Sequence, residues 1–496
     1  MIFTVYLIIV LVSAFLLYAP ITHSYRFSGW NSVSFLDALF TSVSAFSDTG
    51  LVTKNTFETW NVFGEVIIAF LILIGGVGVF ALKIYIFNIL FFKKKTALKE
   101  LELVSTERSS SNSREVKSII VISISILFIV WIVFGFILTF YFYFNQPEIV
   151  KAQQLVPVED TKNFFDYAPV GKFVSPYKNI GISFRYGFFH AISALNNAGF
   201  DIIGDNSLFA YYYNISLQVI FVILLVIGGL GYPVIHDIFN YFRYKFQGNK
   251  RKYQWQLVTK ISVWTYFIVT LVGFLLLIAF EVSSKRSTSF WNDTKMFYGT
   301  HGKRVWSLLF ISFSSRSAGF ATFPMEALSS PSNFIVTVLM FLGAAPSSTG
   351  GGIRTTTFAI IILTLISRIM GRPSVRAFKR KIADSSVRNS FLVFLTGIIL
   401  VLTGTFIIST SSTNYGGAAD ATKFHFQHYL FEVASAFGTA GLTTGVTAYL
   451  NVVSKITMIF IMFIGQFGIS SSILVWGRKR NYTYRYEYLT QEVITG

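Results

Sequence analysis

A chain of 496 residues that is 53% hydrophobic, 13% charged and +0.59 in mean hydropathy carries more apolar surface than a water-soluble core can hide. It has no cysteine, which excludes disulfides, thiolate chemistry and cysteine-ligated metals. The net charge of +18 is concentrated in a few loops and reads as membrane orientation, not nucleic-acid binding.

Apolar runs near the roughly 20 residues that cross a bilayer fall at 2–19, 60–92, 116–144, 208–242, 257–281, 333–366, 387–410 and 451–476. The first has no basic leader and no small-residue cleavage site after it, so a retained membrane helix is expected. Semi-apolar stretches at 34–46, 185–195, 304–314 and 425–437 lie between successive pairs of these runs. They are too short to cross and are expected as re-entrant half-helices. Basic residues crowd the loops around Lys93–Lys117, Arg243–Lys260 and Arg368–Arg388, and the tail after Arg478. By the positive-inside rule these face the cytoplasm, as do both termini. Loops 146–182 and 282–303 then lie outside, and the basic inner surface can hold anionic lipid head groups.

Each half-helix runs into a similar segment: Ser47-Asp48-Thr49-Gly50, Asn196-Asn197-Ala198-Gly199, Arg316-Ser317-Ala318-Gly319 and Gly438-Thr439-Ala440-Gly441. The later glycines are spaced 120 and 122 residues apart, and the first interval is lengthened by the basic insert 93–115 and loop 146–182. The expected architecture is an all-α polytopic membrane protein. Four parallel helix–half-helix–loop–helix repeats would surround one axis with pseudo-fourfold symmetry, giving eight spans. A dehydrated cation needs oxygen ligands, and backbone carbonyls brought in by glycine can supply them. The absence of charge at the glycines suits a monovalent ion better than a divalent one. Four ordinary helix caps without a pore are the alternative. Asp48 either attracts or binds a cation or caps its own loop.

Residues 343–352 interrupt the sixth run with Gly343, Pro346, Gly350, Gly351 and Gly352, a composition no continuous helix tolerates. A polar segment under the glycine loops can obstruct or admit ions, and a plain kink is the alternative. No Gly-Lys-Ser/Thr follows, so it is not a P-loop. Gly75-Gly76-Val77-Gly78 lies inside a span and lacks a βαβ unit, so a close-packing or hinge point near the inner end of the span is expected there, as at Gly228-Gly229-Leu230-Gly231. Lys83 is expected to snorkel to the interface. Glu432 and Arg316 either pair across adjacent loops or meet separate partners. His190 and Asp37 are expected to bond locally. No protease, esterase, kinase or ATPase signature is present, so an enzyme is not expected.

The four glycine loops, together with Gly343-Ala344-Ala345-Pro346-Ser347-Ser348-Thr349-Gly350-Gly351-Gly352-Ile353-Arg354-Thr355-Thr356-Thr357, resemble the Trk/Ktr/HKT superfamily of potassium transporters, most closely its Ktr-type membrane subunit. The resemblance covers about residues 30–476. It implies potassium uptake across the plasma membrane, with potassium held at the carbonyls of 47–51, 196–200, 315–320 and 438–442, and an intramembrane gating loop at 343–352. It also implies a homodimer and a separate cytosolic nucleotide-binding regulatory subunit of the RCK type. Sodium dependence stays open, and no covalent cofactor is implied. The family carries an arginine in its last span where this chain has Gln466, which cannot repel a cation. Arg354 or Arg316 is then available to compensate. The resulting division is repeat 1 at 1–92, a linker at 93–115, repeat 2 at 116–246, repeat 3 at 247–369, a linker at 370–386, repeat 4 at 387–476 and a tail at 477–496. A secondary transporter of another cation or small solute is the competing reading; it would need inverted repeats around a midplane pocket.

Overall fold

Lipid offers the backbone no hydrogen-bond partner, so apolar runs satisfy their N–H and C=O groups internally, as helices. The computed structural model describes residues 2–24, 33–78, 81–82, 85–86, 116–148, 173–204, 206–248, 250–285, 289–292, 298–413 and 424–469. The linker 93–115, Lys83, most of loop 146–182 and the tail 477–496 lie outside the described residues. The helices are α1 (Ile2–Tyr18), α2 (Phe35–Phe46), α3 (Val62–Val77), α4 (Val116–Phe144), α5 (Ile180–Leu195), α6 (Ile215–Gly229), α7 (Tyr232–Phe246), α8 (Leu257–Val282), α9 (His301–Ser314), α10 (Ser330–Phe341), α11 (Thr355–Ile369), α12 (Asp384–Thr413), α13 (Phe426–Gly438) and α14 (Val452–Phe467). Among the described residues the one two-stranded ladder is Arg376–Ala377 against Arg380–Lys381, with isolated antiparallel bridges at His23–Trp60 and Phe173–Gly204.

By length and apolarity, three helices can cross a membrane unaided among the described residues: α4, α8 and α12. The others expected to span are shorter. α3 ends at Gly78, whose φ of +86° breaks the helix. The sixth run is split into α10 and α11, as the Gly/Pro-rich composition requires. The fourth is not the single span expected over 208–242. It divides at Leu230–Gly231 into α6 and α7, bent by 100°, because Gly231 adopts φ +81°.

The short helices α2, α5, α9 and α13 match the expected half-helices, with α5 starting at Ile180 instead of 185. A capping box of Ser34 and Asp37 opens α2, and Asn179 caps α5 by accepting from the Ile182 N–H at 3.1 Å. Their inner ends are seated by glycines. A Cβ on Gly75 would lie 2.7 Å from the Phe46 carbonyl carbon, one on Gly228 3.0 Å from that of Leu195, and one on Gly465 2.9 Å from that of Phe437. Both parts of the reading are seen at these glycine runs: close packing at Gly75 and Gly228, and a break at Gly78 and Gly231. Gly135 and Gly187 likewise let α4 and α5 approach, with Thr139 between them.

Candidate ion-conduction site

The four glycine loops meet. A Cβ on Gly50 would collide with the Ala198 carbonyl oxygen and lie 3.1 Å from the Gly199 Cα. One on Gly199 would lie 2.7 Å from the Ala318 oxygen and 3.0 Å from the Gly319 Cα. From Gly319 the clash is with the Ala440 oxygen, with the Gly441 Cα at 3.1 Å. From Gly441 it is with the Thr49 oxygen, with the Gly50 Cα at 3.3 Å. The contacts close a ring in chain order, and in each the carbonyl before one glycine faces the glycine of its neighbour. All four glycines have φ between +69° and +82°, where a side chain would be strained as well as crowded.

The turns that deliver these glycines share one construction. Asp48, Asn197 and Thr439 have φ of 51°, 56° and 48°. The next N–H bonds back to a half-helix serine carbonyl at 2.8 Å: Thr49 to Ser44, Ala198 to Ser193, Ala440 to Ser435. The third loop departs. Ser317 has φ 156° and Ala318 bonds to Ser314 instead. Ser47 meets Thr49 through their hydroxyls at 2.6 Å, and the Asn196 amide donates to the Ile192 carbonyl at 2.9 Å. All four half-helices direct their C-terminal ends, each about half a negative charge, toward the ring. On one side of the ring is a cavity of about 160 Å³ lined by Gly50, Gly199, Gly319 and Gly441, with Asp201 in its wall.

On the other side lies the segment joining α10 to α11. It folds back on itself, so that a Cβ on Gly343 would clash with Gly351. The third and fourth loops contact it directly, and Gln466 of α14 links it to the first. Arg316 donates from Nη2 to the Gly343 carbonyl at 2.6 Å, and the Ser317 side chain crowds Gly350. Thr439 Oγ1 accepts from the Gly351 N–H at 2.6 Å, and Gly438 approaches Gly352. Gln466 Nε2 donates to both Asp48 Oδ2 at 3.2 Å and the Thr349 carbonyl at 3.1 Å. Gly352 N–H donates to Gly465 at 3.2 Å, and Arg354 donates to the Gly350 carbonyl. The Pro346 carbonyl faces Gly231, so Pro346 lies at the α6–α7 bend, away from the glycine ring.

The charged residues separate. Glu432 accepts from Thr443 Oγ1 at 2.7 Å, Thr444 N at 2.8 Å and Thr447 Oγ1 at 2.6 Å. Arg316, 1% exposed, bonds Gly343 and sits 5.2 Å from the Tyr266 ring. The Glu432–Arg316 pair is therefore not formed, because threonines after the fourth loop occupy the carboxylate. His190 bonds locally to the Tyr186 carbonyl, as expected, and also to Asp201 at 2.8 Å. Asp37 bonds Ser34 but also meets Lys455 at 2.7 Å, joining α2 to α14. Sequence reasoning missed Tyr266 and Lys455, since nothing local marks a partner on a helix distant in the chain.

The model of the TrkH family, described as cation transport protein, matches residues 4–480. An uncharacterized cation transporter of Mycoplasma genitalium is 34% identical over 95% of this chain and 89% of its own length. Ktr system potassium uptake protein D of Bacillus subtilis is 32% identical over 99% of this chain and 95% of its own. The crystal structure of the potassium transporter TrkH from Vibrio parahaemolyticus superposes with a TM-score of 0.55 at 16% identity, covering 90% of this chain and 79% of that one, a likeness of fold.

Proposed function

We propose that this chain, which belongs to the TrkH family of cation transport proteins, takes up potassium through the ring of Gly50, Gly199, Gly319 and Gly441. The observation that carries the reading is the closed set of contacts in which each loop's carbonyl faces the next loop's glycine. Such a ring presents backbone oxygens from four directions, which is what a cation losing its water shell needs. On this reading the four loops are the cores of four parallel repeats around one pore, and the shorter apolar helices complete eight tilted or interrupted spans. Potassium, the cargo, enters from the outer cavity and is held by the carbonyls of Thr49, Ala198, Ala318 and Ala440. It then passes segment 343–352, the gate, and leaves toward the basic cytoplasmic face. The inside-negative potential drives it with about 2.3 kcal/mol per charge per 100 mV.

With Gln466 neutral, Arg316 is the cation that faces the gate from the loops, and its bond to Gly343 supports that role. The protein acts in the plasma membrane with both termini inside, as a homodimer under a cytosolic nucleotide-binding subunit. Sodium serves as a coupling or co-bound ion in the variant of this reading. Expression in a potassium-uptake-deficient cell tests it. Growth at low external potassium, with or without sodium and with the regulatory subunit co-expressed, is the expected result. Failure in every combination, with the protein present in the membrane, would sink it.

A further inference from the structure

The bend at Gly231 sends α7 away at 100° from α6, so if α6 crosses the bilayer α7 runs close to its plane. The distal half of α7 carries Phe239, Phe242 and Phe246, which are 38%, 52% and 88% exposed. Their spacing places them on one face of the helix. Arg243 and Lys245 flank that ridge, and Lys250, Arg251 and Lys252 follow it, all exposed. Tyr241, Tyr253 and Trp255 cluster beside it, with the Tyr241 and Trp255 rings 5.0 Å apart, as aromatics do at a membrane interface. The acidic residue of this stretch, Asp237, is buried and accepts from Tyr253 at 2.6 Å and the Gln256 N–H at 3.0 Å, so it leaves the positive surface uncompensated. Lys260 lies 5.7 Å from the Phe378 ring, which extends the basic surface to Arg376, Lys379 and Arg380. An apolar ridge bordered by cations matches the boundary between acyl chains and anionic head groups.

The junction of α6 and α7 is bonded to segment 343–352, through Tyr232 of α7 and the last two residues of α6. Tyr232 N–H donates to the Ser347 carbonyl at 3.2 Å, Ala345 N–H to the Gly229 carbonyl at 3.0 Å and Thr349 Oγ1 to the Gly228 carbonyl at 3.3 Å. A Cβ on Gly231 would collide with the Pro346 carbonyl and sit 3.1 Å from the Ser348 nitrogen. Tyr232 is fixed from behind by Ser123, which donates to its carbonyl at 3.0 Å, and by its own hydroxyl, which donates to Val77 at 2.9 Å.

We propose that α7 is a lever that binds anionic lipid: phosphate head groups at Arg243, Lys245, Lys250, Arg251 and Lys252 set its angle about Gly231, and that angle sets the seating of segment 343–352. The lever half rests on the gating role proposed above; the lipid half does not. The purified full-length chain is titrated with phosphatidylglycerol or phosphatidylcholine while thermal unfolding is followed. Potassium flux is then measured in vesicles of phosphatidylcholine alone or mixed with phosphatidylglycerol.

Phosphatidylglycerol is expected to raise the unfolding temperature and change the flux where phosphatidylcholine does not. Each basic residue near an anionic surface contributes about fivefold to association, so Lys250→Gln/Arg251→Gln/Lys252→Gln weakens the lipid effect by about a hundredfold and leaves potassium preference over sodium intact. Phe242→Ser/Phe246→Ser weakens it while keeping the charges. Equal stabilisation by the two lipids, or an unchanged response in the triple variant, overturns the lipid surface. Lipid-specific stabilisation without a change in flux overturns the lever. If the wild type carries no potassium in either lipid, the transport reading fails and the unfolding titration still decides the lipid claim.

Discussion

Thr439→Val isolates one bond between the fourth glycine loop and segment 343–352. Thr439 holds φ 48°, unusual for a β-branched residue, while its Oγ1 accepts from the Gly351 N–H at 2.6 Å. Valine has the same shape and branching, so the backbone cost is nearly common to both residues and drops out of the comparison. What changes is a buried N–H that loses its acceptor, worth about 1–3 kcal/mol. That penalty falls on the state in which Gly351 is packed under the loop, not on one in which the segment has moved and its N–H meets water. The docked population therefore falls relative to the undocked by about 5–150-fold. Potassium or rubidium flux into vesicles should rise if the docked segment obstructs the pore, and Thr439→Ser, which keeps the hydroxyl, should stay near wild type. Unchanged or reduced flux in a valine variant that folds normally would refute the obstruction argument.

Glu432→Gln turns an amide N–H₂ toward hydroxyl and backbone donors that now bond a carboxylate, and should cost about 1.5–3 kcal/mol by thermal unfolding. Exchanging the charges, Glu432→Arg with Arg316→Glu, should give no rescue, since the two have separate partners; recovery of flux would contradict the observed contacts. Gly231→Ala should destabilise by about 1–3 kcal/mol from its backbone alone, since φ +81° with ψ 158° is a conformation essentially reserved for glycine. Contact with Pro346 should add to that, and altered gating should accompany it. Gly248, at φ +70° in open space, gives a positive-φ control: Gly248→Ala should show a backbone cost with no contact to segment 343–352 to disturb.

The glycine loops were legible because the chain writes the same construction four times, and a small residue before glycine after a short apolar stretch has few other uses inside a membrane. The interruption at 343–352 was legible for the same local reason: its composition forbids a helix. At Gly228–Gly231 the sequence left close packing and a hinge both open, and the choice between them was hidden. It is the tertiary contact with Pro346 and Ser347 that makes it a break. The partners of Arg316 and Glu432 were equally hidden. Opposite charges on neighbouring loops suggest a pair, but three threonines just downstream satisfy Glu432 more cheaply than a buried ion pair. The irregular third loop, with Ser317 at φ 156°, has no sequence signal beyond its serine and arginine.

Ion discrimination in Gly199→Ser and Gly319→Ser variants tests the central claim most directly. Each hydroxymethyl group must displace a neighbouring loop's carbonyl, at Ala318 or Ala440, from a ring in which the next glycine Cα is 3.0 or 3.1 Å away. The ratio of potassium to sodium flux in vesicles should fall in both variants. A ratio equal to that of the wild type, in variants that still transport, would show that the ring of glycines does not select the ion.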